Sequence, residues 1–151
     1  MKAIVMIAPG APEVLQLQEL PEPTLQQPTD VLIQLKAAGV NPIDTKIRAR
    51  GTFYPEQLPA ILGCDGAGIV VAIANGVTKF KIGDEVYFFA GGLGKTGTGN
   101  YAEYTVVPEH LLAPKPTSLS FAEAAVAPLV LITAWESLCD RGAPPSVIAL
   151  N

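Results

Sequence analysis

Gly63-Cys-Asp-Gly-Ala-Gly-Ile-Val-Val-Ala-Ile-Ala74 decides the fold, because a glycine-rich lead-in runs straight into an apolar stretch. From Gly66 to Ala74 the near-continuous apolar run is what a strand buried on both faces requires. The glycines are spaced G-x-x-G-x-G, and no helical periodicity follows them. A dinucleotide-binding turn instead needs G-x-G-x-x-G at the mouth of a helix, so that backbone can approach the pyrophosphate. The lead-in is therefore read as a tight turn into a buried strand.

Outward from this strand, short β-rich runs alternate with turns. Ala3 to Ile7 reads as a first strand, and Val14 to Glu19 alternates as a half-buried one. Val31 to Val40 puts Val31, Ile33, Leu35 and Ala37 on one face, with Gln34 and Lys36 on the other. Gly83-Asp84 turns the chain into Glu85 to Phe89, and Tyr101 to Val107 follows as a further strand. With 14 Gly and 14 Pro punctuating these runs, the expected fold is mainly β, a barrel or sandwich with a few helices.

Helices are expected at three places. Asn41-Pro42 starts one, since Asn caps free N–H groups and Pro suits the first helical position. Ser120-Phe-Ala-Glu123 has capping-box spacing and opens a second, which Pro128 is expected to close. Leu131, Ala134, Trp135 and Leu138 then mark one face of a third. The expected division is a β domain over 1–125 and a connecting helix over 126–151. In the second part, Val147-Ile-Ala-Leu reads as the start of another strand.

The chain of 151 residues is long enough for a domain that buries roughly 70% of its unfolded surface. Apolar residues make up 49% and charged ones 16%, which marks a globular protein. The net charge is −4 with no basic stripe, so nucleic acid is not an expected partner. The apolar stretches near Met1 and from Ala124 to Ala134 are broken by proline, so no membrane span is expected. Cys64 and Cys139 make no disulfide framework, and the expected setting is a reducing cytoplasm.

Gly91-Gly-Leu-Gly-Lys-Thr96 resembles half of a phosphate-binding loop, but the glycine required five residues before Gly94 is Phe89. Zinc needs thiolate or imidazole ligands, and Cys64, Asp65 and His110 are a poor set. Cys64 is read as a small buried hydrophobe and His110 as solvent-facing. Asn41 and Asp44 suit a helix start, as cap and as first-turn charge. Phe53 and Tyr54 serve either as an aromatic wall or as core cover.

Three segments together carry a resemblance. Gly39-Val-Asn-Pro-Ile-Asp-Thr-Lys-Ile-Arg48, Leu62-Gly-Cys-Asp-Gly-Ala-Gly-Ile-Val70 and Val77-Thr-Lys-Phe-Lys-Ile-Gly-Asp-Glu-Val86 resemble the zinc-free quinone oxidoreductases. These form a branch of the medium-chain dehydrogenase/reductase superfamily, and the likeness is to their N-terminal, substrate-side domain. It implies a GroES-like β-barrel, with a Rossmann domain that would begin after residue 151. It also implies hydride transfer from NADPH, held mainly by that second domain, to a quinone or activated alkene. Such a reaction needs aligned rings and excluded water rather than a nucleophile.

The resemblance assigns catalytic roles to Asn41, Asp44 and Tyr54, and nicotinamide contacts to Asn41, Asp44 and Thr133. A buried helical threonine bonded to its own backbone is the alternative for Thr133. Zinc alcohol dehydrogenases carry Cys and Gly-His-Glu where this chain has Asn41 and Gly63-Cys64-Asp65, so no metal is expected. The implied partners are a small-molecule acceptor and, in a longer form, a second copy in a homodimer. The rival expectation is a stand-alone barrel that acts as a binding or assembly module.

Overall fold

The computed structural model describes residues 1–95 and 98–142. The expected strand at Val147 lies outside the described residues. The strands are β1 (Lys2–Met6), β2 (Leu15–Glu19), β3 (Asp30–Ala38), β4 (Ala60–Ile61), β5 (Asp65–Ile73), β6 (Glu85–Phe89), β7 (Tyr104–Pro108) and β8 (Leu112–Pro114). The helices are α1 (Pro42–Arg50), α2 (Phe121–Ala125) and α3 (Pro128–Trp135), and α3 continues into a π-helical turn at Glu136–Asp140. Among the described residues no helix is long and apolar enough to cross a membrane.

The fold is the expected mainly-β, GroES-like one, but the strands do not close into a barrel. They form a three-stranded sheet, β2-β1-β4, and a five-stranded sheet, β7-β3-β5-β6-β8. Residues 101–103 bridge the two without a regular ladder. Ile4 donates its N–H to the Tyr101 carbonyl at 2.7 Å, and Glu103 donates to Lys2 at 3.0 Å. Continuity is lost because β4 is only two residues long and the segment after β6 is glycine-rich.

The buried run after Gly63 is β5, paired antiparallel with β3 on one side and β6 on the other. Val31, Ile33, Val70, Val86, Phe88 and Val107 form the main core of the larger sheet. Removing such side chains from water stabilises by roughly 25 cal/mol per Å². Met6, Ile47 and Leu62 form a second core between the smaller sheet and α1. The expected half-burial of β2 is not uniform, because Leu17 is exposed. It lies on β2, an edge strand of the smaller sheet.

One helix expectation changes. α2 ends at Ala125, before Pro128, and Pro128 instead opens α3 at its first position. This follows from proline chemistry: a missing N–H costs nothing in the first helical turn. α3 forms where the apolar spacing is helical, yet Val130, Leu131, Trp135 and Leu138 remain exposed, Trp135 at 65%.

Gly68 shows why the lead-in must be small. A Cβ at this position would stand 2.2 Å from the Gln34 carbonyl oxygen, which belongs to the backbone of β3. Gly68→Ala is expected to destabilise the domain by about 2 kcal/mol, because the two central strands must separate. Urea unfolding measures this, and an unchanged midpoint would contradict the close approach.

Candidate active site around the start of α1

Asn41 precedes α1 in extended conformation, and Pro42 fixes the first helical turn. Asp44 then stands one turn in, and its Oδ2 accepts the Asn41 backbone N–H at 2.7 Å. The same oxygen accepts the Tyr101 hydroxyl at 3.0 Å, and Oδ1 accepts the Cys64 thiol at 3.9 Å. Asp44 is 3% exposed and Asn41 6%. A carboxylate this deep is tolerable only because donors surround it.

Asp65, the first residue of β5, has no exposed surface. Its Oδ2 accepts the Asn41 side-chain amide at 2.9 Å, and its Oδ1 accepts the Leu129 backbone N–H at 3.1 Å. Asn41, Asp44, Cys64, Asp65 and Tyr101 thus make one buried polar cluster. It joins the start of α1, the start of β5, the bridging segment and the first turn of α3.

Burial sets the electrostatics. It holds the Asp65 carboxyl above the usual aspartate range, against the bonds from Asn41 and Leu129 that pull it down. Burial, helped by the charges of Asp44 and Asp65, pushes the Cys64 thiol up to about 12. The Tyr101 phenol is raised as well, first by burial and then by Asp44. A cluster with two carboxylates and no basic side chain favours neutral donors.

The expected site residues divide into two kinds. Asn41 and Asp44 are brought together, buried and already hydrogen-bonded. Tyr54 lies beyond the far end of α1, 38% exposed, with its N–H on Thr52 Oγ1 at 3.1 Å. Phe53 is more exposed than Tyr54. Thr133 is one helical turn past Leu129 on α3 and is exposed, so the buried alternative does not describe it. His110 is exposed in the turn after β7, apart from the buried Cys64–Asp65 pair. Among the described residues no group of three or more His, Cys, Asp or Glu side chains is disposed to hold a metal.

Sequence reasoning missed Tyr101 and the tie from Asp65 to α3. Tyr101 is 57 residues from its partner Asp44, and Asp65 is 64 residues from Leu129. No local spacing reports such pairs. The one available signal was an aspartate inside the lead-in to a buried strand, which needs partners wherever they come from.

Cys64 and Cys139 are both free, the first buried and the second partly exposed. A thiol whose ionisation is suppressed this far is a poor nucleophile at neutral pH. Titration with a disulfide reagent at pH 8 should therefore modify about one thiol per native chain and both after denaturation. Rapid modification of both in the native protein would contradict the burial of Cys64.

Comparison with known proteins places this geometry. Residues 27–117 match the family described as alcohol dehydrogenase GroES-like domain. An NADPH-dependent alkenal/one oxidoreductase of Arabidopsis thaliana chloroplasts is 40% identical over all of this chain and 41% of its own length. A quinone oxidoreductase of Rattus norvegicus is 37% identical over 91% of this chain and 40% of its own. The crystal structure of Escherichia coli quinone oxidoreductase complexed with NADPH superposes with a TM-score of 0.79 and 33% identity. That match covers 92% of this chain and 40% of the other. The chain thus spans about two-fifths of the length of the relatives it matches. With fold, motifs and relatives in agreement, the chain belongs to the alcohol dehydrogenase GroES-like domain family, in the medium-chain dehydrogenase/reductase superfamily of oxidoreductases.

Proposed function

We propose that this domain is the substrate-side part of an NADPH-dependent reductase of quinones or activated alkenes. The observation that carries the reading is the pairing of Asn41 with Asp44 at the start of α1. The names of the relatives, a quinone reductase and an alkenal/one reductase, support the same chemistry. We divide the chain near residue 125, with the exposed apolar face of α3 turned toward a cofactor domain in the longer protein. Two free thiols fit a reducing cytoplasm.

The residues present fit a nicotinamide held at this surface. Thr133 and Tyr54 are exposed enough to touch it, while Asn41 and Asp44 are buried and hydrogen-bonded at the start of α1. Bound NADPH would supply the hydride. The chain's own task is geometric: Asp44 fixes the backbone of Asn41, Asn41 and Thr133 orient the ring, and Tyr54 walls the acceptor. Ordered polar groups and excluded water are what such a transfer asks of a protein. We read the site as zinc-free, because Asn41 and Cys64-Asp65 replace the thiolate and imidazole a zinc ion prefers.

The test is NADPH consumption by the longest natural form of the chain against a panel of quinones and enones, with metal content measured on the same preparation. Turnover without stoichiometric zinc is expected. No consumption with any acceptor would leave a binding module in its place, and one zinc per chain would overturn the zinc-free reading. Tyr54→Ala should lower kcat/KM by about 100-fold through lost ring positioning, with Tyr54→Phe milder. If Tyr54→Ala lowers Tm but leaves kcat/KM intact, Tyr54 is packing alone.

A further inference from the structure

α3 has no acceptor of its own at its N-terminus. Its cap position is Ala127, which makes no side-chain bond, and Pro128 has no N–H. Leu129 is therefore the first residue of α3 with a free N–H to satisfy, and the Asp65 carboxylate satisfies it from another element. The other oxygen of that carboxylate holds the side-chain amide of Asn41. Asp65 also accepts the Gly39 N–H at its carbonyl, at 3.1 Å, so backbone and side chain grip the same approach to α1.

Packing at Gly39 closes the same joint. A Cβ there would stand 2.4 Å from the Ala125 carbonyl oxygen and 3.0 Å from Asp65 Cβ. The elbow between α2 and α3 thus rests directly on the backbone that leads into Asn41. Neither can shift without the other.

We propose that Asp65 is a positioning residue for the reduction described above: its carboxylate clamps the Asn41 amide to the first turn of α3. The start of α1 and the helix carrying Thr133 then move as one body. Asp65 touches neither acceptor nor cofactor and acts through Asn41 and Leu129. The clamp rests on the proposed function for its catalytic meaning, but its mechanical half stands on the geometry alone.

Asp65→Asn separates the clamp from simple core filling. The amide keeps the size of the carboxyl but must turn an N–H toward either Asn41 Nδ2 or Leu129 N, so one bond breaks. Amide exchange on the chain of 151 residues reads the mechanical half. Leu129 is expected to exchange about 10-fold faster in Asp65→Asn, while Val70 in the core changes far less. Asn41→Ala, which does not touch α3, should also speed exchange at Leu129. Should Asp65→Asn fail to fold, Asn41→Ala carries this arm by itself. Leu129 protection unchanged in Asn41→Ala would overturn the clamp.

Kinetics of the longest natural form read the catalytic half. Asp65→Asn should lower kcat by about 10-fold with the KM for NADPH changed much less, because alignment rather than binding is lost. A loss of Tm with both constants unchanged would make Asp65 structural only. A wild-type enzyme that consumes no NADPH would overturn the functional reading, while the exchange result still decides the clamp.

Discussion

Asp65 begins the central strand of the larger sheet with none of its surface in water, and a different element meets each of its two oxygens. Two N–H donors suit an ionised carboxylate, yet burial outweighs them and keeps the group easier to protonate than free aspartate. The consequence for stability has a definite sign. Between the ordinary value of 3.8 and the raised value of the folded state, the native protein holds more proton than the unfolded chain. The contribution of Asp65 is fully present below 3.8 and is lost as pH rises through its folded-state value. Ionising Asp65 in the folded protein therefore costs stability relative to the unfolded chain.

Asp44 extends the same logic. One carboxylate oxygen gathers the backbone of Asn41 and the hydroxyl of Tyr101, so the segment bridging the two sheets is tied to the start of α1. An open junction between sheets would otherwise leave this corner without a ladder to define it. Connected polar networks of this kind select one arrangement among several of similar packing. The apolar cores supply the driving force, while the cluster sets where the ends of α1, β5 and α3 meet.

Much of this was legible in the residues. The apolar run of β5, the alternation of β3 and the Asn41-Pro42 helix start each depend on neighbours a few positions away. Local physics decides them. The Gly63–Gly68 spacing also excluded a phosphate cradle, and close packing on Tyr101, Phe88 and the β3 backbone gives the reason for Gly63, Gly66 and Gly68 in turn. Closure of the barrel was not legible, because it depends on how residues 101–103 meet β1 across about a hundred positions of sequence. Pro128 was misread for a related reason: proline both ends and begins helices, and only the path of the chain after Ala125 distinguishes the two. At the site, Asn41 and Asp44 announced themselves by spacing, whereas Asp65 and Tyr101 acquire their partners only through the fold.

The most direct test of the account is a carboxyl-carbon NMR titration of the aspartates, with the Leu129 amide shift followed in the same samples. Asp65 is expected to titrate above 3.8, and the Leu129 amide to move with the same midpoint. A Leu129 signal indifferent to the Asp65 titration would contradict the buried bridge on which the arrangement depends, and an Asp65 midpoint at or below 3.8 would contradict the dominance of burial over its two bonds.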